Sequence, residues 1–184
     1  MAKTTKNTSR KGLPRPLLGE MLSFFFPIHY RVGMELETRM CQGRISRQQA
    51  AIIWMIESEV GGNGWMRRRI IEQHLKSWFE TSNSHVSQLL RDLAKPPLSM
   101  VVQMENPASG REKVVALTPE GRAFFKTMID AGLDFFTTQF EHVGEDEMRW
   151  GINYLALAFR PPEIDDKGRR QTPRLDPPPP RIRK

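Results

Sequence analysis

The stretch at residues 82–95 constrains the fold of this chain more than any other part of the sequence. Its apolar residues recur at spacings of three and four, which places them on one face of a helix. These residues are Val86, Leu89, Leu90 and Leu93. Ser82 is a suitable N-cap, and Pro96-Pro97 ends the helix because a residue before proline disfavours helical geometry. The stretch therefore predicts a short amphipathic helix.

The polar face of this helix carries small and amide side chains where a merely soluble helix usually shows Lys and Glu. Ser84, Gln88 and Arg91 point almost directly away from the apolar face, and Ser87 lies beside them. Gln can pair bidentately with adenine, and Arg can pair with guanine or a phosphate. The pattern is that of a recognition helix for the major groove. An ordinary amphipathic helix with a serine-rich start is the alternative.

A β-hairpin is predicted directly after this helix. Residues 98–104 and 111–117 are rich in Val, Met and Leu, and the turn between them contains Pro107 and Gly110. Arg111 would lie near the tip of the hairpin, with Lys113 close by. An Arg in this position can enter the narrow, negative minor groove beside the major groove. The hairpin is therefore predicted to be the wing of a winged helix.

Three further helices are predicted before the recognition helix, at residues 17–42, 46–60 and 65–79. Pro27 should kink or split the first, which is apolar nearly all round before that residue. The third is joined to the recognition helix by a short turn, which makes a helix-turn-helix. Arg67, Arg68 and Arg69 in its first turn oppose the helix dipole, so we expect phosphate as their partner. Solvated arginines are an equally open alternative.

Two aromatic-rich helices are predicted after the hairpin. Thr118-Pro119-Glu120 starts the first with an N-cap, a proline and a favourable charge, and it runs to about His142. The second covers residues 146–159. Together with the hydrophobic first helix they offer more apolar surface than one small domain needs, which indicates a dimer.

Length and composition narrow the class of protein. A chain of 184 residues with 39% hydrophobic residues suits one domain with tails. A single cysteine, Cys41, excludes a disulfide framework within the chain and favours a reducing cytoplasm. No signal peptide or membrane span is expected. We find no phosphate loop, nucleophile elbow or metal-ligand spacing, so we predict no enzyme, no metal and no cofactor.

The net charge of +7 is concentrated in particular regions. Residues 1–16 carry five basic and no acidic residues, and residues 161–184 carry seven basic residues and seven of the fourteen prolines. We predict that both are disordered tails. Residues 39–122 are also basic, whereas residues 17–38 and 123–160 are acidic. This asymmetry suits a DNA-facing lobe and a second lobe turned away from DNA. Chance is the alternative.

The order of these elements resembles the MarR family of bacterial winged-helix regulators. Three runs carry the resemblance, which covers residues 20–160. Residues 45–50 (Ile-Ser-Arg-Gln-Gln-Ala) are similar to the family's Leu-Thr-x-x-Gln helix start. Residues 82–93 are similar to its recognition helix, with a Thr/Ser-Val-Ser-Arg-Leu core. Residues 110–121 are similar to the end of its wing, Asp-x-Arg-x-x-x-Val-x-Leu-Thr-x-x-Gly. In this chain Ser109 replaces the wing Asp and Gln88 replaces the usual Arg of the recognition helix.

The resemblance implies a homodimer that binds a pseudo-palindromic operator, and a pocket in which a small aromatic effector releases DNA. We therefore predict a mainly α fold with a small β-hairpin wing, in which residues 45–118 form the DNA-binding lobe. Residues 17–42 and 119–160 supply the dimerisation helices of a domain at residues 17–160. The function predicted is that of a cytoplasmic, nucleoid-associated transcriptional repressor that binds double-stranded DNA. A winged-helix protein-interaction module, with weak DNA affinity from its tails, is the alternative.

The residues predicted to act fall into two groups. The DNA-binding group comprises Arg67, Arg68, Arg69, Asn83, Ser84, His85, Ser87, Gln88, Arg91, Arg111 and Lys113. The pocket group comprises Tyr30, Trp54 and Phe125, for each of which a place in the core is the alternative. Cys41 is predicted to be inert, although Arg39 and Arg44 nearby leave a redox role open.

Overall fold

A computed structural model of the chain describes residues 12–58, 64–106, 109–110, 112–159, 163–164 and 170–171. It divides into two compact units, Met1–Phe135 and Phe136–Lys184. The helices are α1 (Arg15–Ser23), a π-helix (Pro27–Gly33), α2 (Met34–Cys41), α3 (Arg47–Ser58), α4 (Arg68–Trp78), α5 (Asn83–Ala94), α6 (Pro119–Gln139) and α7 (Glu145–Phe159). The strands are β1 (Trp65–Arg67), β2 (Val101–Glu105), β3 (Lys113–Leu117), β4 (Glu163–Ile164) and β5 (Arg170–Gln171). The predicted fold class, mainly helical with a small hairpin, is confirmed.

Pro27 divides the predicted first helix, as expected. α1 ends at Ser23, four residues before this proline. Pro27 has no N–H to donate to the Ser23 carbonyl, and its ring would clash with that carbonyl in an α-helix. The chain continues as the π-helix and then as α2, which ends where Gln42 adopts a left-handed conformation with φ of 53°. The single helix predicted at residues 17–42 is therefore three segments.

α3 starts with a reciprocal cap that explains the first family-like run. The Ser46 N–H donates to Gln49 Oε1 at 2.9 Å, and the Gln49 N–H donates to Ser46 Oγ at 3.2 Å. This is a capping box, which satisfies two backbone donors that the helix start would otherwise leave unpaired. The pair holds the start of α3 against the core, in which Gln49 is a buried polar residue.

The hairpin predicted after the recognition helix is confirmed, with β2 and β3 as its strands. They pair antiparallel from Val101↔Leu117 to Glu105↔Lys113. β1 adds to the other side of β3, so the strand order is β1-β3-β2. The prediction of a helix at residues 65–79 is therefore wrong for its first three residues. Trp65–Arg67 pairs with residues 114–116 instead, which buries Met66 and satisfies the backbone of an otherwise exposed sheet edge.

α6 begins at a point where the helix and the sheet approach closely. Thr118 Oγ1 accepts the Gly121 N–H at 3.0 Å and donates to the Ser99 carbonyl at 2.7 Å. A Cβ on Gly121 would overlap the Met100 carbonyl oxygen, so no larger residue fits without a shift of the backbone. Thr118 and Gly121 thus anchor α6 at the base of the wing.

The core of the first unit lies between α3, α4, α5, the sheet and the first half of α6. Its fully buried side chains come from every one of these elements. They include Ile52, Ile53, Met55, Ile56, Ile71, Leu75, Val86, Leu90, Leu93, Val114 and Met128. The apolar face predicted for α5 is thus part of this core, and the opposite face of the helix is exposed.

Candidate nucleic-acid interface

α5 presents the polar face that the sequence predicts. Ser82 caps the helix, because its Oγ accepts the His85 N–H at 3.2 Å. The predicted apolar residues of α5 are all buried. Of the predicted contact residues, Ser87 is half-buried and the others are exposed, namely Asn83, Ser84, His85, Gln88 and Arg91. The rigid core therefore carries a row of accessible hydrogen-bonding side chains.

Three side chains on the C-terminal half of α5 form a hydrogen-bonded chain. Gln88 Nε2 donates to Asp92 Oδ1 at 2.6 Å. Arg91 Nη2 donates to Gln88 Oε1 at 2.7 Å. The three residues are spaced i, i+3 and i+4, which makes them neighbours on one helix face. The two predicted base-reading residues, Gln88 and Arg91, are therefore joined, and Asp92 is attached to them.

The N-terminal half of α5 is tied to two other helices. His85 Nε2 and Gln48 Oε1 of α3 lie 2.7 Å apart in a hydrogen bond. Ser87 Oγ donates to the Asn83 carbonyl at 2.8 Å and accepts from Arg68 Nη2 of α4. These bonds fix the orientation of α5 relative to the helices that precede it.

The three consecutive arginines lie where β1 meets α4. Arg67 is the last residue of β1, so its predicted place in the first turn of a helix is wrong, whereas Arg68 and Arg69 do lie there. Arg67 Nε is 3.3 Å from Glu112 Oε2, and Arg68 Nε is 2.9 Å from Glu72 Oε1. Arg69 is exposed. With Lys113, the arginines and both carboxylates line a cavity of about 390 Å³. The cluster is net positive and lies beside the wing.

The turn of the wing is closed by Asn106 and Glu112. The Asn106 N–H donates to the Glu112 carbonyl at 2.7 Å, and Asn106 Nδ2 donates to Glu112 Oε2 at 3.3 Å. Ser109 Oγ accepts the Glu112 N–H at 3.4 Å, where the resembled family has a wing Asp. Lys113 is exposed at the start of β3. Arg111, the residue predicted for the minor groove, lies outside the described residues.

Comparison with known proteins agrees with this geometry. The sequence model of the family described as winged helix DNA-binding domain matches residues 45–121. Residues 45–121 therefore have the winged-helix fold, with α3, α4, α5 and the three-stranded sheet as its elements. No curated protein matches the chain.

Solved structures that match the chain have the fold of MarR-family regulators. Wild-type MarR from E. coli shares 18% identity and a TM-score of 0.55, over 83% of this chain and 100% of that one. A MarR transcriptional regulator from Methanosarcina mazei Go1 is 16% identical to this chain and matches it with a TM-score of 0.56. The match covers 80% of this chain and 90% of that one. A MepR variant from S. aureus, bound to an oligodeoxyribonucleotide, is 16% identical to this chain and matches it with a TM-score of 0.50. The match covers 79% of this chain and 95% of that one. The resemblance predicted from the sequence is confirmed in the fold.

A cavity of about 680 Å³ opens next to the winged-helix domain, between the π-helix, α2, α3, α6 and the end of α4. Of the predicted pocket residues, Tyr30 and Trp54 line it, whereas Phe125 packs against Trp54 with ring centroids 5.6 Å apart. Glu37 and Arg47 form an ion pair at 3.5 Å. The remaining lining residues are His29, Met34, Leu36, Met40, Ala50, Ala51, Trp78, Phe79 and Met128. The cavity is therefore mainly apolar and aromatic, with one ion pair.

Cys41 lies in an environment that disfavours a thiolate. Burial raises the pKa of the Cys41 thiol, and the Glu37 carboxylate adds to this rise, while Arg47 opposes it. The thiolate is the reactive form of cysteine, so a raised pKa lowers reactivity at neutral pH. This environment supports the prediction of an inert cysteine. Arg39 and Arg44, near in sequence, instead lie over the rings of Phe135 and Phe124.

In the part of the chain that the structure describes, no group of three or more His, Cys, Asp or Glu side chains could hold a metal ion. None of its described helices is long and apolar enough to cross a membrane.

Three residues of the interface were missed by the sequence analysis. Asp92 follows Gln88 by four residues, so helical spacing alone could have revealed their contact. Gln48 is 37 residues from its partner His85 in the sequence. Glu112 is 45 residues from its partner Arg67. No local pattern signals contacts at such separations.

Proposed function

We propose that this protein is a transcriptional regulator that binds double-stranded DNA sequence-specifically. The observation that carries the proposal is α5, whose apolar side is buried in the core while Gln88, Arg91 and the residues of its first turn stay exposed. The match to a winged-helix DNA-binding family over residues 45–121 supports it. So does the solved MepR variant, a structural neighbour bound to an oligodeoxyribonucleotide. α5 enters the major groove, and the wing lies along the neighbouring minor groove.

Within this proposal the contact residues have different roles. Asn83, Ser84, His85, Ser87, Gln88 and Arg91 act in the major groove. Arg67, Arg68, Arg69, Arg111 and Lys113 act on phosphates and the minor groove. Losing a base contact costs about 1–3 kcal/mol and relaxes specificity at one position, whereas losing a phosphate contact weakens all sequences alike. Glu72 and Glu112 partly neutralise the arginine cluster, so Arg69 and Lys113 carry most of its phosphate affinity.

We also propose that the protein acts as a homodimer on a pseudo-palindromic operator. α1 and the π-helix together bury no residue within the described chain, and Leu22, Phe24 and Phe26 are each more than half exposed. α7 likewise buries none, with Phe159 71% exposed. A folded protein rarely leaves so many large apolar side chains exposed, and a two-fold dimer would cover both groups.

The dimer is tested by sedimentation equilibrium of the wild type and of Leu22→Glu. We expect the wild type to sediment as a dimer and the variant to dissociate, because a charge would be buried in the interface. Glu20→Gln, which changes an exposed polar residue of the same helix, is the matched control and should remain dimeric. A monomeric wild type would contradict the proposal.

The cavity beside the winged-helix domain supports regulation by a small aromatic effector. Its aromatic lining suits stacking with such a compound, and Arg47 offers a cation for an acidic group. We expect small aromatic acids to quench tryptophan fluorescence through Trp54 and to weaken DNA binding. Because Trp78 also lines the cavity, Trp54→Phe should reduce the quenching without abolishing it, and it should leave DNA affinity without the compound unchanged. Repression is tested by transcription from a promoter that carries the selected site, which should fall when the protein is added.

The decisive experiment for DNA recognition is selection of binding sites from random duplex DNA at near-physiological salt. A symmetric motif with half-sites about one helical turn apart would support a dimeric, sequence-reading winged helix. Absence of any motif, with binding that vanishes steeply as salt rises, would overturn the proposal. That outcome would mean that phosphate attraction supplies the affinity, and it would favour the protein-interaction module.

A further inference from the structure

The hydrogen-bonded chain of Arg91, Gln88 and Asp92 bears on how the recognition helix reads a base. Gln88 donates one N–H to the Asp92 carboxylate and accepts one N–H from Arg91. A primary amide has two N–H groups and a carbonyl oxygen with two lone pairs. Each half of the Gln88 amide therefore keeps one hydrogen-bonding position for a further partner.

The remaining positions match the major-groove edge of adenine. Adenine presents N7 as an acceptor and the N6 amino group as a donor, and a Gln amide can bind both at once. The remaining Gln88 N–H can donate to N7, and the remaining lone pair of Gln88 Oε1 can accept from N6. The number of donors and acceptors left on Gln88 is therefore sufficient for bidentate reading of adenine.

The two partners of Gln88 fix which way its amide points. An ionised carboxylate can only accept hydrogen bonds, so Asp92 requires the Nε2 end of the amide. A guanidinium can only donate, so Arg91 requires the Oε1 end. Both constraints select the same orientation of the amide. An exposed Gln without these partners would lose rotamer freedom when it binds DNA. Its amide could also be rotated by 180°, which would exchange the positions of Nε2 and Oε1.

We propose that Asp92 is a positioning residue that determines specificity by orienting the Gln88 amide toward adenine. The proposal rests on the proposed sequence-specific DNA binding by α5. Asp92 itself is exposed on the helix and is not needed for the core. Its negative charge disfavours nearby phosphates, so any gain that Asp92 brings to binding comes through its hydrogen bond to Gln88.

The test measures discrimination at the one A·T pair that Gln88 is proposed to read. Discrimination is the affinity for the selected site divided by the affinity for the same site in which that pair is changed to G·C. Gln88→Ala identifies that base pair as the position at which discrimination is lost. A bidentate contact is worth about 5- to 150-fold in discrimination. We expect Asp92→Ala to reduce discrimination at this pair by about five-fold and by no more than Gln88→Ala does, because only Arg91 then restrains the amide. The double variant should be no worse than Gln88→Ala, because both act through one contact.

Asp92→Asn separates orientation from charge. An Asn oxygen can still accept from Gln88 Nε2, so this variant should keep discrimination while binding all sequences more tightly. Asp130→Ala, which removes an exposed carboxylate from α6, is the matched charge control and should leave discrimination unchanged. Circular dichroism of each variant confirms that α5 remains folded.

Two outcomes would overturn the inference. Asp92→Ala could raise affinity for all duplexes and keep full discrimination, which would make Asp92 only a source of repulsion. Alternatively, the losses from Asp92→Ala and Gln88→Ala could be additive, which would mean that the two side chains act independently. If the wild type selects no motif at all, the proposed function fails before the role of Asp92 is addressed, so the two failures are distinguishable.

Discussion

Replacement of Gly121 by Ala should destabilise the winged-helix domain, although the same change in most helices is favourable. Gly121 lies in the first turn of α6, directly over Met100, the residue before β2. An added Cβ would overlap the Met100 oxygen, and it would lie 3.0 Å from the Met100 carbonyl carbon and 3.3 Å from Leu117 Cβ. Two of these three atoms belong to the backbone, so a change of side-chain rotamer cannot relieve the contact.

The magnitude follows from three opposing contributions. Ala in place of Gly favours a helix by about 1 kcal/mol. Overpacking a well-packed core costs about 1–3 kcal/mol, and a contact with backbone falls at the upper end of that range. Relief of the contact would move the Met100 oxygen, which accepts the Thr118 N–H at 3.0 Å, and loss of that bond costs about 1 kcal/mol more. We therefore expect Gly121→Ala to lower the free energy of unfolding by about 3 kcal/mol.

Gly132→Ala is a matched control in the same helix. A Cβ there would meet Leu36 Cδ1 at 3.6 Å and Met40 Sδ at 3.9 Å, which are ordinary packing distances. It should therefore stabilise the protein by up to about 1 kcal/mol through helix propensity alone. Urea unfolding followed by circular dichroism, at one fixed protein concentration because of the proposed dimer, measures both variants. A Gly121→Ala variant as stable as the wild type would refute the close approach of α6 to the residue before β2.

Three further predictions concern the recognition helix, the arginine cluster and the cysteine. Ser82→Ala removes the N-cap of α5 and should lower the free energy of unfolding by about 1 kcal/mol, whereas Ser82→Asp should retain the cap. Urea unfolding measures both variants. An equal loss of stability in both would contradict the capping role of Ser82. Arg69→Ala should weaken binding to all duplexes and should lower the slope of log affinity against log salt concentration by about 1. Titrations at several salt concentrations measure this slope. A change confined to one DNA sequence would indicate a base contact instead. Burial raises the pKa of the Cys41 thiol, so a smaller fraction of this thiol is thiolate at neutral pH. Iodoacetamide should therefore modify Cys41 much more slowly in the folded protein than in urea. Equal rates would contradict the burial of Cys41.

Local patterns in the sequence determined most of the elements. The apolar spacing and Ser82 define α5 within about a dozen residues, and the structure confirms both the buried side and the cap. Pro27 marks the break in the first helix, and Thr118 marks the start of α6, because each acts on backbone groups within four residues. The hairpin could be predicted for the same reason, since its two strands are joined by one short turn.

Contacts between distant residues were decided only by the tertiary structure. Trp65–Arg67 is too short to show alternation, and it is a strand because β3, almost fifty residues later, offers it a free edge. The same pairing brings Arg67 to Glu112 and so makes the arginine cluster less positive than three consecutive arginines predict. The accessible face of α5 follows from local spacing, whereas its bonds to Gln48 and Arg68 depend on how α3 and α4 pack. The sequence alone therefore determined which residues form the exposed polar face of α5. The packing of helices and strands determined which partners hold those residues in place, because pairing energy between distant segments leaves no local pattern.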